Sequence, residues 1–197
     1  MFILASGSPR RKELLRQIGC RFQVMVSQAE ETVGCTLSPG QLVLENACAK
    51  ARAVAKEAGG LPVLGADTVV ALEGQIYGKP TDEEDARRML RNLAGKTHHV
   101  LTGIAFFSGG EVFTDAVTTE VTFGAMTEAE IADYVETGEP MDKAGAYAVQ
   151  GRAAAFIEGI RGSYSNVVGL PLHAVCRLAG KAGVDLYGDH GEGFAGG

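Results

Sequence analysis

Residues 63–72 read Val63-Leu64-Gly65-Ala66-Asp67-Thr68-Val69-Val70-Ala71-Leu72, an almost continuous apolar run broken only by an aspartate and a threonine. A run of this kind predicts a central strand buried on both faces, the mark of a sheet covered by helices. Asp67 is the anomaly in it. A carboxylate in mid-strand must be paired, bind a metal or act as a base, because an isolated charge there is too costly. Gly65 and Ala66 just before it leave room for a ligand to approach the backbone. An aspartate can also cap a turn at a strand end, but Asp67 lies well inside the run.

Upstream, Phe2 to Ala5 reads as a short apolar strand running through Ser6-Gly7-Ser8 into a helix from Pro9 to Ile18. Ser8 caps that helix, Pro9 takes its first position and Gly19 stops it. Phe22 to Val26 predicts a second strand. A long helix follows from Ser38-Pro39 to about Ala58, ended by Gly59-Gly60. Downstream, Glu73-Gly74 makes a turn, and capping boxes at Thr81/Glu84 and Thr127/Glu130 open two more helices. Between these, Thr97–Phe107 and Glu111–Phe123 form a long hairpin about Ser108-Gly109-Gly110. Ala154 to Ile160 predicts a further strand and Pro171 to Ala182 the last helix. Strands and helices interleave with no break in composition, so the chain reads as one α/β unit with a mixed sheet, a single domain over 1–187 and a glycine-rich, disordered tail over 188–197.

Composition narrows the function classes. The chain has 197 residues, with 18 Lys+Arg against 24 Asp+Glu and a formal net charge of −6. That balance argues against a broad basic face for nucleic acid, though not against a small anionic substrate. The four Cys include no C-x-x-C pair and the four His form no spaced set, so a dedicated zinc site is not expected. No basic leader or membrane-length apolar run is present, which predicts a cytoplasmic protein with no membrane partner. Two motifs mislead. Gly95-Lys96-Thr97 ends like a phosphate loop but lacks the first glycine, and Gly191 to Gly196 fits G-x-G-x-x-G without the strand and helix that pattern needs.

Other residues cluster around Asp67 by chemistry. Ser6-Gly7-Ser8-Pro9-Arg10-Arg11 places a small-residue turn, a helix N-terminus and two guanidinium forks together, which suits an anion such as phosphate. A capped amphipathic helix with solvated basic residues explains the same letters. In the long helix, at about 100° per residue, Val43, Ala47, Val54 and Ala58 form an inward stripe with Lys50 in its middle. Lys50 must find an anion, or snorkel to the surface. Glu30 and Glu31 offer a second carboxylate, or are simply surface acids. Lys79, in Gly78-Lys79-Pro80, adds a cation in a tight turn, and an ordinary loop accounts for it equally. Residues 141–151 follow neither a helix nor a strand period. They form an ordinary loop or a ligand-contact loop in which Gln150 reads a nucleobase edge. Carboxylates for a divalent cation, with Arg10, Lys50 and Lys79 for phosphates, suit metal-assisted attack of water on a nucleotide polyphosphate.

Five ordered motifs, S-G-S-P-R-R-K-E-L-L, G-A-D-T-V-V, G-K-P, M-D-K-A-G-A-Y and G-S-Y-S-N-V-V-G-L-P, resemble the Maf family of nucleoside triphosphate pyrophosphatases from Phe2 to about Ala179. The resemblance implies an elongated mixed α/β fold with a central cleft between two lobes, similar to the inosine triphosphate pyrophosphatases. It implies cleavage of a nucleoside triphosphate to monophosphate and pyrophosphate with Mg or Mn, and a homodimer. By motif, Asp67 is the implied proton acceptor, with Ser6, Arg10, Glu30, Lys50 and Lys79 lining the phosphate and metal site. Arg10, Thr68 and Gln150 fall where the dTTP/UTP-specific branch carries its selectivity residues. Ala148 departs from that branch's glycine, and its methyl narrows the pocket. The family's link to septum formation also suggests a rival, a nucleotide-sensing regulator of division with no need of a base. A single-strand RNA-binding domain ranks last, because the aromatic residues sit in strand-like runs.

Overall fold

A computed structural model of the chain describes residues 1–32 and 36–188. The apolar run at 63–72 is strand β3 (Val63–Leu72), and the sheet grows from it in both directions. On one side it pairs in parallel with β1 (Phe2–Leu4), which pairs in parallel with β2 (Phe22–Val24). On the other it pairs antiparallel with β5 (Thr97–Ser108), then come β6 (Glu111–Phe123) and β7 (Ile157–Arg161). A short strand β4 (Gln75–Tyr77) folds back on the end of β3 across the Glu73-Gly74 turn, whose residues have φ of 50° and 80°. The hairpin is as the glycines predict. Ser108 pairs with Glu111, and Gly109 and Gly110 supply the two positive φ angles, 59° and 86°, that a tight two-residue turn needs.

Helices close both faces. Helix α1 (Pro9–Gln17) and helix α6 (Leu172–Lys181) cover one face of the strands, where Leu15, Val175 and Leu178 meet Phe2, Leu64 and Phe106. Helix α2 (Pro39–Ala55) covers the other face, packing Ala47, Ala51 and Val54 on Ile3, Val63 and Ala105. A separate core under α3 (Glu83–Leu93) and α4 (Glu128–Val135) gathers Val70, Leu72, Leu90, Val121, Phe123 and Ile131. Thus β3 leaves one core at Ala66 and enters the next at Val70. Asp67 and Thr68 fall at the joint.

Several details differ from the sequence expectations: β4 is not among them, the second strand stops at Val24 and the long helix ends at Ala55. Helix α3 is capped by Asp82, whose carboxylate accepts from the Asp85 amide at 2.8 Å, so the Thr81/Glu84 box does not form. A charged cap meets the positive helix end better than a hydroxyl does. The strand expected from Ala154 begins only at Ile157, because Arg152–Phe156 wind into a 3₁₀ turn. A short helix α5 (Tyr164–Val168), capped by Ser163, lies in a stretch with no predicted element. The tail beyond Gly188, with its G-x-G-x-x-G pattern, lies outside the described residues.

Candidate active site

The joint in β3 forms the floor of a cleft of about 1280 Å³, more than the roughly 300–1,000 Å³ typical of ligand pockets. Asp67 is only 7% exposed. Both its oxygens are satisfied by α2, where Asn46 and Lys50 stand four residues apart on one face. Lys50 Nζ lies 2.7 Å from Asp67 Oδ1 and Asn46 Nδ2 donates to Oδ2 at 3.0 Å. Lys50 also reaches Glu31 Oε1 at 2.6 Å, so one ammonium joins two carboxylates. Asn46 Oδ1 accepts from the Thr32 amide at 2.8 Å and fixes the segment carrying Glu31. The lysine on the inward stripe therefore pairs with Asp67, and does not snorkel.

The β1 to α1 turn supplies the next wall. Ser8 caps α1 by accepting from the Arg11 amide, and Ser6, 6% exposed, accepts from the Ser8 amide and from Arg11 Nη1, each at 3.2 Å. Arg11 curls under the cleft. It donates to the Ala66 carbonyl at 2.9 Å, to Thr68 Oγ1 at 3.1 Å and to the Gly169 carbonyl at 2.9 Å. Burial pulls its pKa down from the ordinary value, and the Asp67 charge opposes that pull. Arg10 turns outward to Asp142 at 3.2 Å, and Asp142 in turn touches Lys143. Thr68 is held by Arg11 and by Thr102 at 2.9 Å. Lys79 and Gln150 are exposed on the cleft wall, and among the described residues neither side chain has an ion pair or hydrogen bond.

Six of the residues expected from sequence, Ser6, Arg10, Lys50, Thr68, Lys79 and Gln150, thus line the same cleft as Asp67. Glu30 does not. It is exposed and off the cleft wall, whereas its neighbour Glu31, also exposed, lines the cleft and pairs with Lys50. Sequence reasoning missed Asn46 and did not separate Arg11 from Arg10. The spacing of Asn46 four residues before Lys50 carried the signal for the first. Two glycines also have other tasks than ligand access. A Cβ on Gly65 would stand 2.2 Å from the Ala47 carbonyl oxygen of α2, and one on Gly145, at φ 70°, 2.7 Å from Val70. Gly7 does line the cleft.

The far wall is the loop after α4. The 3₁₀ turns Glu139–Asp142 and Ala144–Ala146 lead to Tyr147, whose hydroxyl meets His98 Nε2 at 2.8 Å. Burial lowers the His98 pKa to about 4 and raises that of Tyr147. Phe123 packs edge-on against both rings, at 5.1 and 4.7 Å. Ala148, 8% exposed, also faces the cleft.

The chain is similar to several known proteins. The family model described as Maf-like protein matches residues 1–182. The dTTP/UTP pyrophosphatase of Bacillus thuringiensis subsp. konkukian (strain 97-27) is 47% identical over 184 residues, 93% of this chain and 96% of its own. That of Symbiobacterium thermophilum is 49% identical over 185 residues, covering 94% and 95%. The solved structure of the Staphylococcus aureus Ham1 protein aligns with 61% of this chain and 71% of its own, at 18% identity and a TM-score of 0.40.

Proposed function

The chain belongs to the Maf family, and from that premise and the cleft's chemistry we propose that it hydrolyses dTTP and UTP to the monophosphate and pyrophosphate. The observation that carries the reading is the buried Asp67, bound by Lys50 and Asn46, on the floor of a cleft that also holds Arg10 and Lys79. Names of relatives at 47–49% identity support the substrate class.

Asp67 accepts the proton of the attacking water, and its two hydrogen-bond donors fix the carboxylate in place for it. Arg10, Lys50 and Lys79 neutralise charge that builds on the phosphates and on leaving pyrophosphate. The N-terminus of α1, behind Ser6 and Ser8, adds backbone donors to the same end of the cleft. Two carboxylates meeting at one ammonium are a donor set that suits Mg or Mn, which take one or two protein carboxylates together with phosphate oxygens. Asp67 and Glu31 would hold the ion, and it would supply neutralising charge to the polyphosphate. Gln150, with one donor and one acceptor end, reads the pyrimidine edge, beside Thr68 and the narrowing methyl of Ala148. Family membership supports a cytoplasmic homodimer. Among the described residues no helix is long and apolar enough to cross a membrane.

The test is pyrophosphate release from a panel of canonical and modified triphosphates with Mg. Asp67→Asn is expected to keep the fold and lose turnover of dTTP and UTP by on the order of 10²-fold or more. Unreduced turnover in that variant, or nucleotide binding with no pyrophosphate from any triphosphate, defeats the reading.

A further inference from the structure

Gln150 lines the cleft without a side-chain hydrogen bond among the described residues, so its aim depends on the backbone that carries it. That backbone is fastened at one end to a tyrosine hydroxyl and at the other to the carboxylate which that hydroxyl bonds. Tyr134, buried near the end of α4, donates its hydroxyl to Glu139 Oε1 at 2.7 Å and accepts from the Ala148 amide at 3.2 Å. The other carboxylate oxygen, Glu139 Oε2, accepts from the Arg152 amide at 3.1 Å. Between the two anchored amides lie Val149, Gln150 and Gly151, drawn into a turn by the Gly151 amide donating to the Ala148 carbonyl at 3.1 Å. The carboxylate is pressed against this turn. A Cβ on Gly151 would stand 2.2 Å from Glu139 Oε1, so a larger residue there must displace the carboxylate. Glu139 is itself held in place: its amide donates to Thr137 Oγ1 at 3.1 Å and its carbonyl accepts from Lys143 Nζ at 3.0 Å.

We propose that Glu139, with Tyr134, is a positioning residue for nucleobase selection, latching both ends of the 148–152 loop so that Gln150 is presented to the base. The inference rests on the reading of the cleft as a pyrimidine nucleotide site. Neither Glu139 nor Tyr134 lines the cleft, so any effect on substrate choice passes through the loop. A charge-assisted bond from a backbone amide to a carboxylate is stronger than a neutral one, and two latches on one group make the loop's ends move together.

Tyr134→Phe tests this with little disturbance, since the ring and its packing on Phe156 remain. It is expected to raise KM for dTTP about three- to tenfold, the worth of one or two hydrogen bonds, and to narrow the preference for dTTP over purine triphosphates. Because the chemistry is untouched, kcat should stay within about twofold. Glu139→Ala should act in the same direction, and Glu139→Gln, which retains an acceptor for the Arg152 amide, should restore part of the preference. The deciding comparison is with Gln150→Ala. If the latch acts through Gln150, adding Tyr134→Phe to that variant changes the preference no further. Additive effects, or a fall in kcat with KM and preference intact, overturn the proposal. Hydrogen exchange at the Ala148 and Arg152 amides should speed up in Tyr134→Phe. Should the unaltered chain release no pyrophosphate from any triphosphate, the functional reading fails, and this exchange alone judges the latch, with unchanged protection counting against it.

Discussion

Arg10 and Arg11 are neighbours in sequence whose side chains leave α1 about 100° apart, and the rotation separates their tasks. Arg10 reaches an exposed aspartate at the mouth of the cleft, a contact of the kind worth about 1 kcal/mol or less. Arg11 ties three segments together through the Ala66 and Gly169 carbonyls and the Ser6 and Thr68 hydroxyls. Only a planar fork can meet such a spread of acceptors. Arg11→Lys therefore strands at least two acceptors, a cost of about 2–4 kcal/mol, or a melting temperature lower by about 5–15 °C. Arg10→Lys should melt with the unaltered protein and show its effect in KM. Thermal denaturation of the two variants side by side decides the matter, and equal melting temperatures would remove the structural role assigned to Arg11. Nothing in the letters Arg10-Arg11 distinguishes the pair. Their difference arises from where Gly169 and Ala66 arrive in space.

At the scale of elements, the site exists because α2 lies unusually close to β3 and β5. The closeness is made by two glycines in adjacent strands: a Cβ on Gly65 would meet Ala47 O at 2.2 Å, and one on Gly103 would meet Val43 O at 2.4 Å. Gly103 is also the register partner of Asp67. With no side chains between them, helix and sheet approach until Lys50 and Asn46 bond Asp67 directly. Gly103→Ala must push the helix away, at a cost of about 1–3 kcal/mol for overpacking. The shift also draws Lys50 and Asn46 back, and a displacement near 1 Å can lower turnover by about 10²-fold. The measurement is kcat taken well below the variant's melting temperature. Full kcat there would mean that the close approach serves packing alone. The periodic elements around these glycines were legible, since β3, the hairpin of β5 and β6, α1, α2 and α6 announce themselves by apolar period and caps. Asp67 and Lys50 were legible too, as charges where a core should be. What Gly65 of β3 and Gly103 of β5 face was not, because a missing side chain looks the same whether a ligand or a helix backbone fills its place.

For the whole molecule, one buried histidine ties the sheet to the loop that forms the far wall of the cleft. His98 on β5 is fully buried, bonded to Tyr147 across the cleft wall and packed on Phe123, and its Nδ1 has no partner among the described residues. Neither its letter nor its neighbour His99 marks it as special, since its burial comes from the pairing of β5 with β6 and the return of the 147 loop. Burial holds its pKa near 4, against an ordinary value of 6.5, with the adjacent His99 pushing the same way. Between those values the unfolded chain binds a proton that the folded chain does not. Stability contributed by the neutral imidazole is therefore complete above pH 6.5 and falls as the pH drops toward 4. A shift from 6.5 to about 4 corresponds to about 3 kcal/mol over that window. His98→Gln keeps a polar group opposite the Tyr147 hydroxyl and cannot titrate there. Denaturant unfolding at successive pH values should show the unaltered protein losing this increment between pH 6.5 and 4, while the variant's curve runs flatter over the same range. Carboxylates held by cations, such as Asp85 and Asp142, act below their ordinary range in both proteins and cancel from the difference. Parallel curves for the two proteins would mean that His98 takes up its proton as readily in the folded chain as in the unfolded one, and that Tyr147 is held by packing on Phe123 and not by a neutral imidazole.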